Sequence, residues 1–352
     1  MDFRLPVSLL TGFLGSGKTT LLNSWLRSPD LSDAAVIVNE FGAVGIDHAL
    51  IAASSDNTIE LSTGCLCCTV SGDLVNTLRE LLVRRERGEI KRFDQVIIET
   101  TGLADPAPVV QALMTFPVSQ RYRLSRIFTT VDSINGASTL VQHLESVKQV
   151  AIADQIVLTK TDISTGKDTA LVDEITSINA FASIHSSSLS RPIGLSEILA
   201  GDKGGSSCDE MFTKLMQSKP TISPGRGLFD GEPIRARSSR HTSDVSSFIC
   251  RFDEPLHWEH VANWLDALVV CHGPDLLRVK GILNVVGRDQ PVVVHAVQSL
   301  FHPPTELASW PDGSRVSTLV FITRKLTQEF VCEVFKTIQN RVPVSAAGPR
   351  IH

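Results

Sequence analysis

Short, mostly apolar runs alternate with amphipathic stretches over the first part of the chain. The runs are rich in β-branched residues, as expected for strands that are buried on both faces of a parallel sheet. They lie at 5–10, 34–38, 95–98, 126–131 and 155–158. Between two of them, Leu74, Leu78 and Leu81 recur at the spacing of a helix with one apolar face. The pattern therefore predicts an α/β fold, with a mostly parallel sheet flanked by helices.

The composition and the hydrophobic periodicity of the sequence change after about Ile198. Residues 216–243 are rich in Pro, Gly, Ser and Arg and show little periodicity, which is typical of an exposed linker. Residues 244–340 then predict a smaller α+β domain. Its expected strands are 247–252, a pair around Gly281 within 276–286, 292–300 and 317–323, and its expected helices are 257–270 and 327–338. We therefore expect a first domain at 1–215, the linker, the second domain at 244–340, and a tail at 341–352.

The segment from Gly12 to Thr19 reads GFLGSGKT and lies between the first strand and a predicted helix. Small residues in such a loop let successive backbone N–H groups turn inward onto phosphate oxygens, and the helix N-terminus adds its positive end. Lys18 is expected to reach the β and γ oxygens, and the Thr19 hydroxyl to bind Mg²⁺. The expected phosphate-binding residues are Gly12, Gly15, Ser16, Gly17, Lys18, Thr19 and Thr20. The first domain is thus predicted to be a P-loop nucleoside triphosphatase, the alternative being a glycine-rich turn without a ligand.

A second nucleotide signature follows the strand at 95–98. That strand runs into Glu99, and Gly102 comes three residues later. Glu99 is expected to hold Mg²⁺ through water or to orient the attacking water, and the Gly102 amide to sense the γ-phosphate. Together with the P-loop this pair favours hydrolysis, because a kinase would more often carry an arginine-rich lid. Lys18, Glu99 and Gly102 are the expected catalytic residues.

Thr159, Lys160 and Asp162 close the strand at 155–158. A Lys-x-Asp sequence at the end of a late parallel strand recognises guanine, because the carboxylate accepts the N1 and N2 protons of the base while the lysine stem packs over the ring. Adenine lacks that pair of donors, so the sequence favours GTP over ATP. The position before the lysine is more often Asn, and Thr159 is therefore expected to weaken the tie between this loop and the P-loop.

Three cysteines crowd into four positions as Cys65, Cys67 and Cys68. In an extended loop Cys65 and Cys67 project from one side, where two thiolates can chelate Zn²⁺, Co²⁺ or a related ion and leave room for a carboxylate, a His or water. Glu40 follows the strand at 34–38, in a loop of the kind that senses the γ-phosphate, and is the candidate carboxylate. In the alternative interpretation the cysteines pack as small hydrophobic residues and Glu40 lies in a solvated turn.

Composition restricts the class of protein. The chain has 352 residues, of which 42% are hydrophobic and 20% charged, and a formal net charge of -5; these values suit a globular protein of two domains and argue against nucleic-acid binding. No apolar run approaches the about 20 residues of a membrane span, and the N-terminus lacks a basic region and a cleavage site. Seven cysteines are too few for a disulfide framework. We expect a cytoplasmic protein without nucleic-acid or membrane partners.

The first domain contains, in order, GFLGSGKT, VNEFG with GID, ELSTGCLCC followed by TVSGDL, ETTGLADP and TKTD, and the second contains DVSSF, LLRVKG and HAVQSLFHPP. Together these stretches resemble the CobW-like P-loop GTPases and their C-terminal domain, over nearly the whole chain. The resemblance implies a GTPase that binds Zn²⁺ or a related divalent ion through the cysteine motif and delivers it to a client protein when GTP is hydrolysed. Many relatives carry a His-rich linker, whereas this chain has only His241 there.

Two rival functions are open to the same sequence. One is a regulatory GTPase that acts through protein contacts and uses its cysteines structurally, which predicts the same GTP affinity with and without Zn²⁺. The other is a metabolic kinase, which predicts phosphoryl transfer to an acceptor other than water, and the stretch from Glu99 to Gly102 argues against it. The sequence names neither the metal nor the client, and it leaves the oligomeric state open, a homo-oligomer included.

Overall fold

A computed structural model describes residues 3–40, 58–62, 69–164, 169–200, 244–310 and 315–342. The chain forms two compact units, the first comprising 1–173 and 182–207 and the second comprising 174–181 and 208–352. The expected linker lies outside the described residues, as does most of the expected tail, so the boundaries of these two segments stay predictions.

The first unit is an α/β structure, as the apolar runs predicted. Up to residue 200 the elements are β1 (Leu5–Gly12), α1 (Lys18–Leu26), β2 (Ala34–Glu40), β3 (Thr58–Ser62), α2 (Thr69–Glu86), β4 (Gln95–Glu99), α3 (Ala107–Met114), β5 (Tyr122–Asp132), α4 (Gly136–Gln142), α5 (Leu144–Ala151), β6 (Gln155–Thr159), α6 (Thr169–Ile178), β7 (Ser183–Ser186) and α7 (Leu195–Ala200). The end of α6 is grouped with the second unit. Across the described residues, no helix has the length and apolarity that a membrane span requires.

Within the described residues, seven strands form one parallel sheet in the order β3-β2-β4-β1-β5-β6-β7. The carboxyl ends of parallel strands share one edge, where α/β proteins bind ligands. The sequence patterns located the five inner strands, but not β3 and β7, which form the two edges of the sheet. An edge strand is partly solvated and carries polar residues, so these strands lack the apolar run that marks the inner ones.

One face of the sheet packs against α1 and α7. Trp25 of α1 is fully buried, and its indole N–H donates to the carbonyl of Ile193 at 3.0 Å. Its ring meets Phe128 of β5 edge-on, with the ring centroids 5.2 Å apart. A buried Trp that has both an apolar surround and a hydrogen-bond partner is strongly stabilising. These contacts fix α1, whose first residues carry the predicted phosphate ligands, against the sheet.

The second unit is the smaller α+β domain that the sequence predicted. Its elements are β8 (Val245–Phe252), α8 (Trp258–His272), β9 (Leu276–Leu283), β10 (Val292–Val297), β11 (Leu300–Phe301), β12 (Thr305–Glu306), β13 (Ser317–Arg324) and α9 (Gln328–Arg341). The strands pair antiparallel in the order β11-β10-β9-β13-β8, with β12 beside β10. Helices α8 and α9 share a core with the sheet, in which the indole N–H of Trp264 donates to the carbonyl of Val331 at 2.9 Å.

The strand pair expected around Gly281 is wrong. A single strand, β9, passes through this residue, and the chain turns only after Leu283. A Cβ at position 281 would lie 2.7 Å from Cγ of Leu319 and 3.1 Å from Cγ2 of Val294. The glycine therefore leaves room for large side chains of the two neighbouring strands instead of forming a turn.

Candidate nucleotide-binding site

The loop from Gly12 to Lys18 leaves the carboxyl end of β1 and enters α1, as predicted. Gly12 has a φ of 143°, and a Cβ there would lie 2.3 Å from Oγ1 and 2.5 Å from the carbonyl oxygen of Thr130. Only glycine fits this close approach to β5. The Ser16 hydroxyl contacts the Thr130 hydroxyl at 2.6 Å, so β5 supports the loop at two points.

Lys18 is almost fully buried, and its ammonium donates to the carbonyl oxygens of Gly12 at 3.0 Å and Phe13 at 3.2 Å. The charge is therefore held inside the curve of the loop, where the β and γ oxygens of a nucleotide are expected to replace these carbonyls. Two further predicted phosphate ligands, Gly15 and Gly17, lie in the loop, and Thr20 lies in the first turn of α1.

The Thr19 hydroxyl donates to Oε1 of Glu99 at 2.7 Å. These residues are far apart in the sequence and meet because β4 is the neighbour of β1, with Leu10 opposite Glu99. A hydroxyl and a buried carboxylate side by side are the oxygen donors that Mg²⁺ prefers. The pair therefore fits the predicted Mg²⁺ site, to which Glu99 would bind through water.

Gly102 lies directly against the P-loop. A Cβ at this position would be 2.6 Å from both Cα and N of Leu14 and 3.1 Å from Nζ of Lys18. Because main-chain atoms form most of this contact, a side chain at position 102 would have to displace one of the two loops. The residue expected to sense the γ-phosphate thus lies beside the lysine expected to bind it.

The loop after β6 is tied to the P-loop, contrary to the weakening expected from Thr159. The Thr159 hydroxyl donates to the carbonyl oxygen of Ser16 at 2.7 Å and contacts that of Val131 at 3.3 Å. Thr159 is the last residue of β6, and only β5 separates that strand from β1, so its hydroxyl reaches the P-loop. Asp162, the residue expected to recognise guanine, is exposed at the same edge.

Asp132 joins β5, the start of α4 and residues 160–162 after β6, which are expected to recognise guanine and are here called the guanine loop. Its carboxylate accepts from the N–H of Ile134 at 2.8 Å, from the Asn135 side chain at 3.1 Å and from Nζ of Lys160 at 2.8 Å. Burial raises the pKa of Asp132, but the hydrogen bonds from Lys160, Ile134 and Asn135 together outweigh burial and hold the pKa below its ordinary value. Lys160, expected to pack over the base, is thereby oriented by an anion.

Ser187, directly after β7, was missed in the sequence. Its carbonyl oxygen accepts from the Thr161 hydroxyl at 3.1 Å, and its own N–H donates to the carbonyl of Leu158 at 2.7 Å. The residue therefore supports the guanine loop from the neighbouring strand. The available signal was the polar run of serines at 186–188, which has no meaning until β7 is known to lie beside β6.

The predicted metal ligands Cys65, Cys67 and Cys68 lie outside the described residues, and so does the side chain of Glu40. The backbone corrects one detail, because Glu40 is the last residue of β2 and not part of a loop. Strand β3 ends opposite it, with Glu40 paired to Ser62, while Val38 is paired to Glu99 of β4. Strand β3, which precedes the cysteines, therefore ends on the side of the sheet where the carboxyl ends of the strands lie. Glu99 and its partner Thr19 lie on the same side.

The histidines of the second unit show no metal-binding arrangement among the residues described. His295 and His302 stack with their ring centroids 4.8 Å apart, and a ring nitrogen of His260 lies 2.9 Å from the carbonyl oxygen of Val342. No group of three or more His, Cys, Asp or Glu side chains in the described ranges is placed to hold a metal ion.

Comparison with known families gives two matches. The nucleotide-binding domain of the family described as CobW/HypB/UreG matches residues 6–186. The cobalamin synthesis protein cobW C-terminal domain matches residues 245–339.

Two curated relatives align over most of this chain. The zinc chaperone YjiA of Escherichia coli is 32% identical over 332 residues, which cover 94% of this chain and 98% of YjiA. The zinc chaperone CobW of Pseudomonas aeruginosa is 29% identical over 366 residues, which cover 95% of this chain and 91% of that protein.

The fold is similar to that of solved structures of YjiA. The crystal structure of Zn(II)-bound YjiA GTPase from E. coli has a TM-score of 0.68 and 28% identity, over 95% of this chain and 99% of that one. A Zn(II)-bound triple mutant of YjiA GTPase, in which one glutamate and two cysteines are replaced by alanine, gives the same TM-score, identity and coverage.

Proposed function

The chain belongs to the CobW/HypB/UreG family of nucleotide-binding proteins, and from that premise we propose that it is a GTP-hydrolysing metallochaperone. It hydrolyses GTP with water to GDP and phosphate. It holds Zn²⁺, or a related ion such as Co²⁺, with Cys65, Cys67, Cys68 and Glu40, and hydrolysis makes the ion transferable to a client metalloprotein.

One observation supports the coupling of GTP hydrolysis to metal release, namely that β3, the strand before the cysteines, is separated from β4 only by β2. Neighbouring strands are about 4.8 Å apart, and β3, two strands away, ends two residues beyond the level of Glu99, so the two strand ends lie about 12 Å apart. Cys65 follows Ser62 by three residues, which span at most about 10 Å. Chain connectivity thus keeps the backbone of Cys65 within about 22 Å of that of Glu99, close enough for a shared loop arrangement to bind nucleotide and metal together.

The hydrolytic residues act by binding and orientation. Thr19 and Glu99 would hold Mg²⁺, which would supply charge neutralisation at the β and γ oxygens. Lys18 binds those oxygens, and Glu99 also orients the attacking water. Gly102 is a γ-phosphate sensor, so its loop relaxes when the γ-phosphate leaves. Lys160 and Asp162 select guanine.

The partners follow from the same proposal. The client is a metalloprotein that accepts a divalent ion from thiolates, and neither nucleic acid nor a membrane takes part. We place the protein in the cytoplasm, where thiols stay reduced and able to bind metal.

The test is the Zn²⁺ affinity of Cys67→Ala, measured against a competing chelator with a non-hydrolysable GTP analogue and with GDP. We expect about tenfold or greater weakening in the GTP state, because one of few thiolate ligands is lost. Cys271→Ala is the control, since Cys271 is an exposed thiol of α8. The test measures affinity and not the mere presence of zinc, because zinc is bound in the structure of the YjiA triple mutant whose glutamate and two cysteines were replaced by alanine.

Full metal affinity of Cys67→Ala in the GTP state would refute the metal assignment. If in addition Zn²⁺ left the GTP affinity of the unmodified protein unchanged, the rival would stand, namely a GTPase that acts through protein contacts with structural cysteines.

A further inference from the structure

Two consecutive residues of α5 hold the loop that follows Glu99. The side-chain amide of Gln149 donates to the carbonyl oxygens of Gly102 at 3.2 Å and Ala104 at 3.1 Å. The ammonium of Lys148 pairs with Oδ2 of Asp105 at 2.6 Å. The loop from Gly102 to Asp105 is thus bound to one helix at three points.

Helix α5 is itself fixed to the sheet beside the P-loop. Gln149 is fully buried, and its carbonyl oxygen accepts from the Thr129 hydroxyl of β5 at 2.8 Å. Gly102 meets the main chain of Leu14 on its α carbon and Gln149 on its carbonyl oxygen. The γ-phosphate sensor is therefore enclosed between the P-loop and this side chain.

The side-chain amide of Gln149 is needed for these contacts, because it supplies the two N–H groups that the two carbonyl oxygens accept. Both of its N–H bonds point at carbonyl oxygens of the loop, whereas Oε1 is buried without a hydrogen-bond partner among the residues described. Gln149 also lines a cavity of about 190 Å³, together with the P-loop and α4. A carboxylate of the same shape would face the two carbonyls without a proton to donate. The Gln149→Glu substitution therefore breaks the contact while it keeps the volume.

We propose that Gln149 is a positioning residue for GTP hydrolysis, which holds Gly102 against the P-loop so that the γ-phosphate meets a preorganised loop. The Lys148–Asp105 pair is the second anchor of the same loop. This inference rests on the proposed function, since it concerns how the GTPase site is assembled. Because GDP lacks the γ-phosphate, loss of the anchor weakens GTP binding and turnover and leaves GDP binding unchanged.

The experiment measures kcat and KM for GTP, and the Kd of GDP and of a non-hydrolysable GTP analogue, with full-length Gln149→Glu. We expect kcat to fall about tenfold or more and analogue binding to weaken about fivefold, because two hydrogen bonds become repulsive contacts. The GDP affinity should stay within about twofold. Gln142→Glu is the matched control, since Gln142 ends α4 and is exposed.

A second variant keeps the test decisive if the buried substitution prevents folding. Lys148 is partly exposed, with 23% of its side chain accessible, so Lys148→Met should fold. We expect a loss of about threefold in kcat, with Lys148→Arg restoring the rate because it keeps the ion pair. Lys91→Met is the control, because it removes a surface ion pair with Asp33, 3.1 Å long.

The outcomes separate the two proposals. Folded Gln149→Glu or Lys148→Met with unchanged kcat and an unchanged ratio of GTP to GDP affinity would overturn the role of α5 alone. An equal loss of GTP and GDP affinity would also overturn it, because that result indicates general damage. If the unmodified protein did not hydrolyse GTP, the proposed function itself would fail.

Discussion

Single hydroxyl groups join the nucleotide loops of this protein. The Thr159 hydroxyl reaches the carbonyl oxygen of Ser16, and the hydroxyls of Thr11 and Thr100 are 2.9 Å apart between β1 and the residue after β4. Each such bond contributes about 0.5–1.5 kcal/mol net, and together they fix the relative positions of the loops that follow β1, β4 and β6. Thr159 thus makes the contact with the P-loop that was expected of an Asn at this position, although its side chain is smaller.

Asp162 is the carboxylate that we propose selects guanine, and Asp162→Asn should therefore change the base selectivity. GTP affinity is expected to fall about 100-fold, because two charge-assisted hydrogen bonds are lost. Xanthosine triphosphate should bind better than it does to the unmodified protein, since xanthine has a carbonyl where guanine has its amino group and the Asn amide can donate to it. Fluorescence titration of both nucleotides measures the change.

Asp173→Asn is the control for this test, because Asp173 is exposed on α6. Unaltered GTP affinity in Asp162→Asn would show that another group recognises the base.

At the scale of elements, Asp132 joins three parts of the first unit. It ends β5, accepts from the first N–H groups before α4, and binds Lys160 after β6. Its position follows from the parallel pairing of β5 with β6, which sets Asp132 opposite Thr159. One carboxylate therefore links the entry of a helix to the loop after β6, which is expected to recognise guanine.

This link predicts a pH dependence of stability. Because the folded pKa of Asp132 is lowered, its contribution is fully present above the ordinary carboxyl pKa of about 4 and is lost as the pH falls through the folded value. Asp132→Asn should therefore lower the free energy of unfolding at pH 7, and the gap to the unmodified protein should narrow below about pH 4. Urea unfolding between pH 3 and pH 7, about the range in which carboxylates titrate, measures the gap.

Asp33→Asn serves as the control for this series, because it removes only a surface ion pair with Lys91. Stability curves for Asp132→Asn and the unmodified protein that ran parallel over the whole pH range would contradict the assignment.

At the scale of the whole molecule, nucleotide and metal ligands are expected at one edge of one sheet. The prediction is reciprocity, so a GTP analogue should tighten Zn²⁺ binding by the same factor by which Zn²⁺ tightens binding of the analogue, about 5- to 150-fold for typical coupling. Calorimetric titrations measure both factors, with Zn²⁺ added before the GTP analogue in one series and after it in the other. Cys67→Ala should reduce the factor to about one, and a factor of one in the unmodified protein would contradict the coupling.

By itself the sequence determined the inner strands, the position of the P-loop and the family, because an apolar run or a spacing of glycines is local information. Only the tertiary structure decided that β4 lies beside β1, so that Thr19 meets Glu99 across 80 positions of sequence, that Thr159 closes onto Ser16, and that Gln149 holds Gly102. Such contacts depend on the spatial order of strands, which local periodicity does not encode. The edge strands and Gly281 were misjudged for the same reason, since their neighbours in space set their roles.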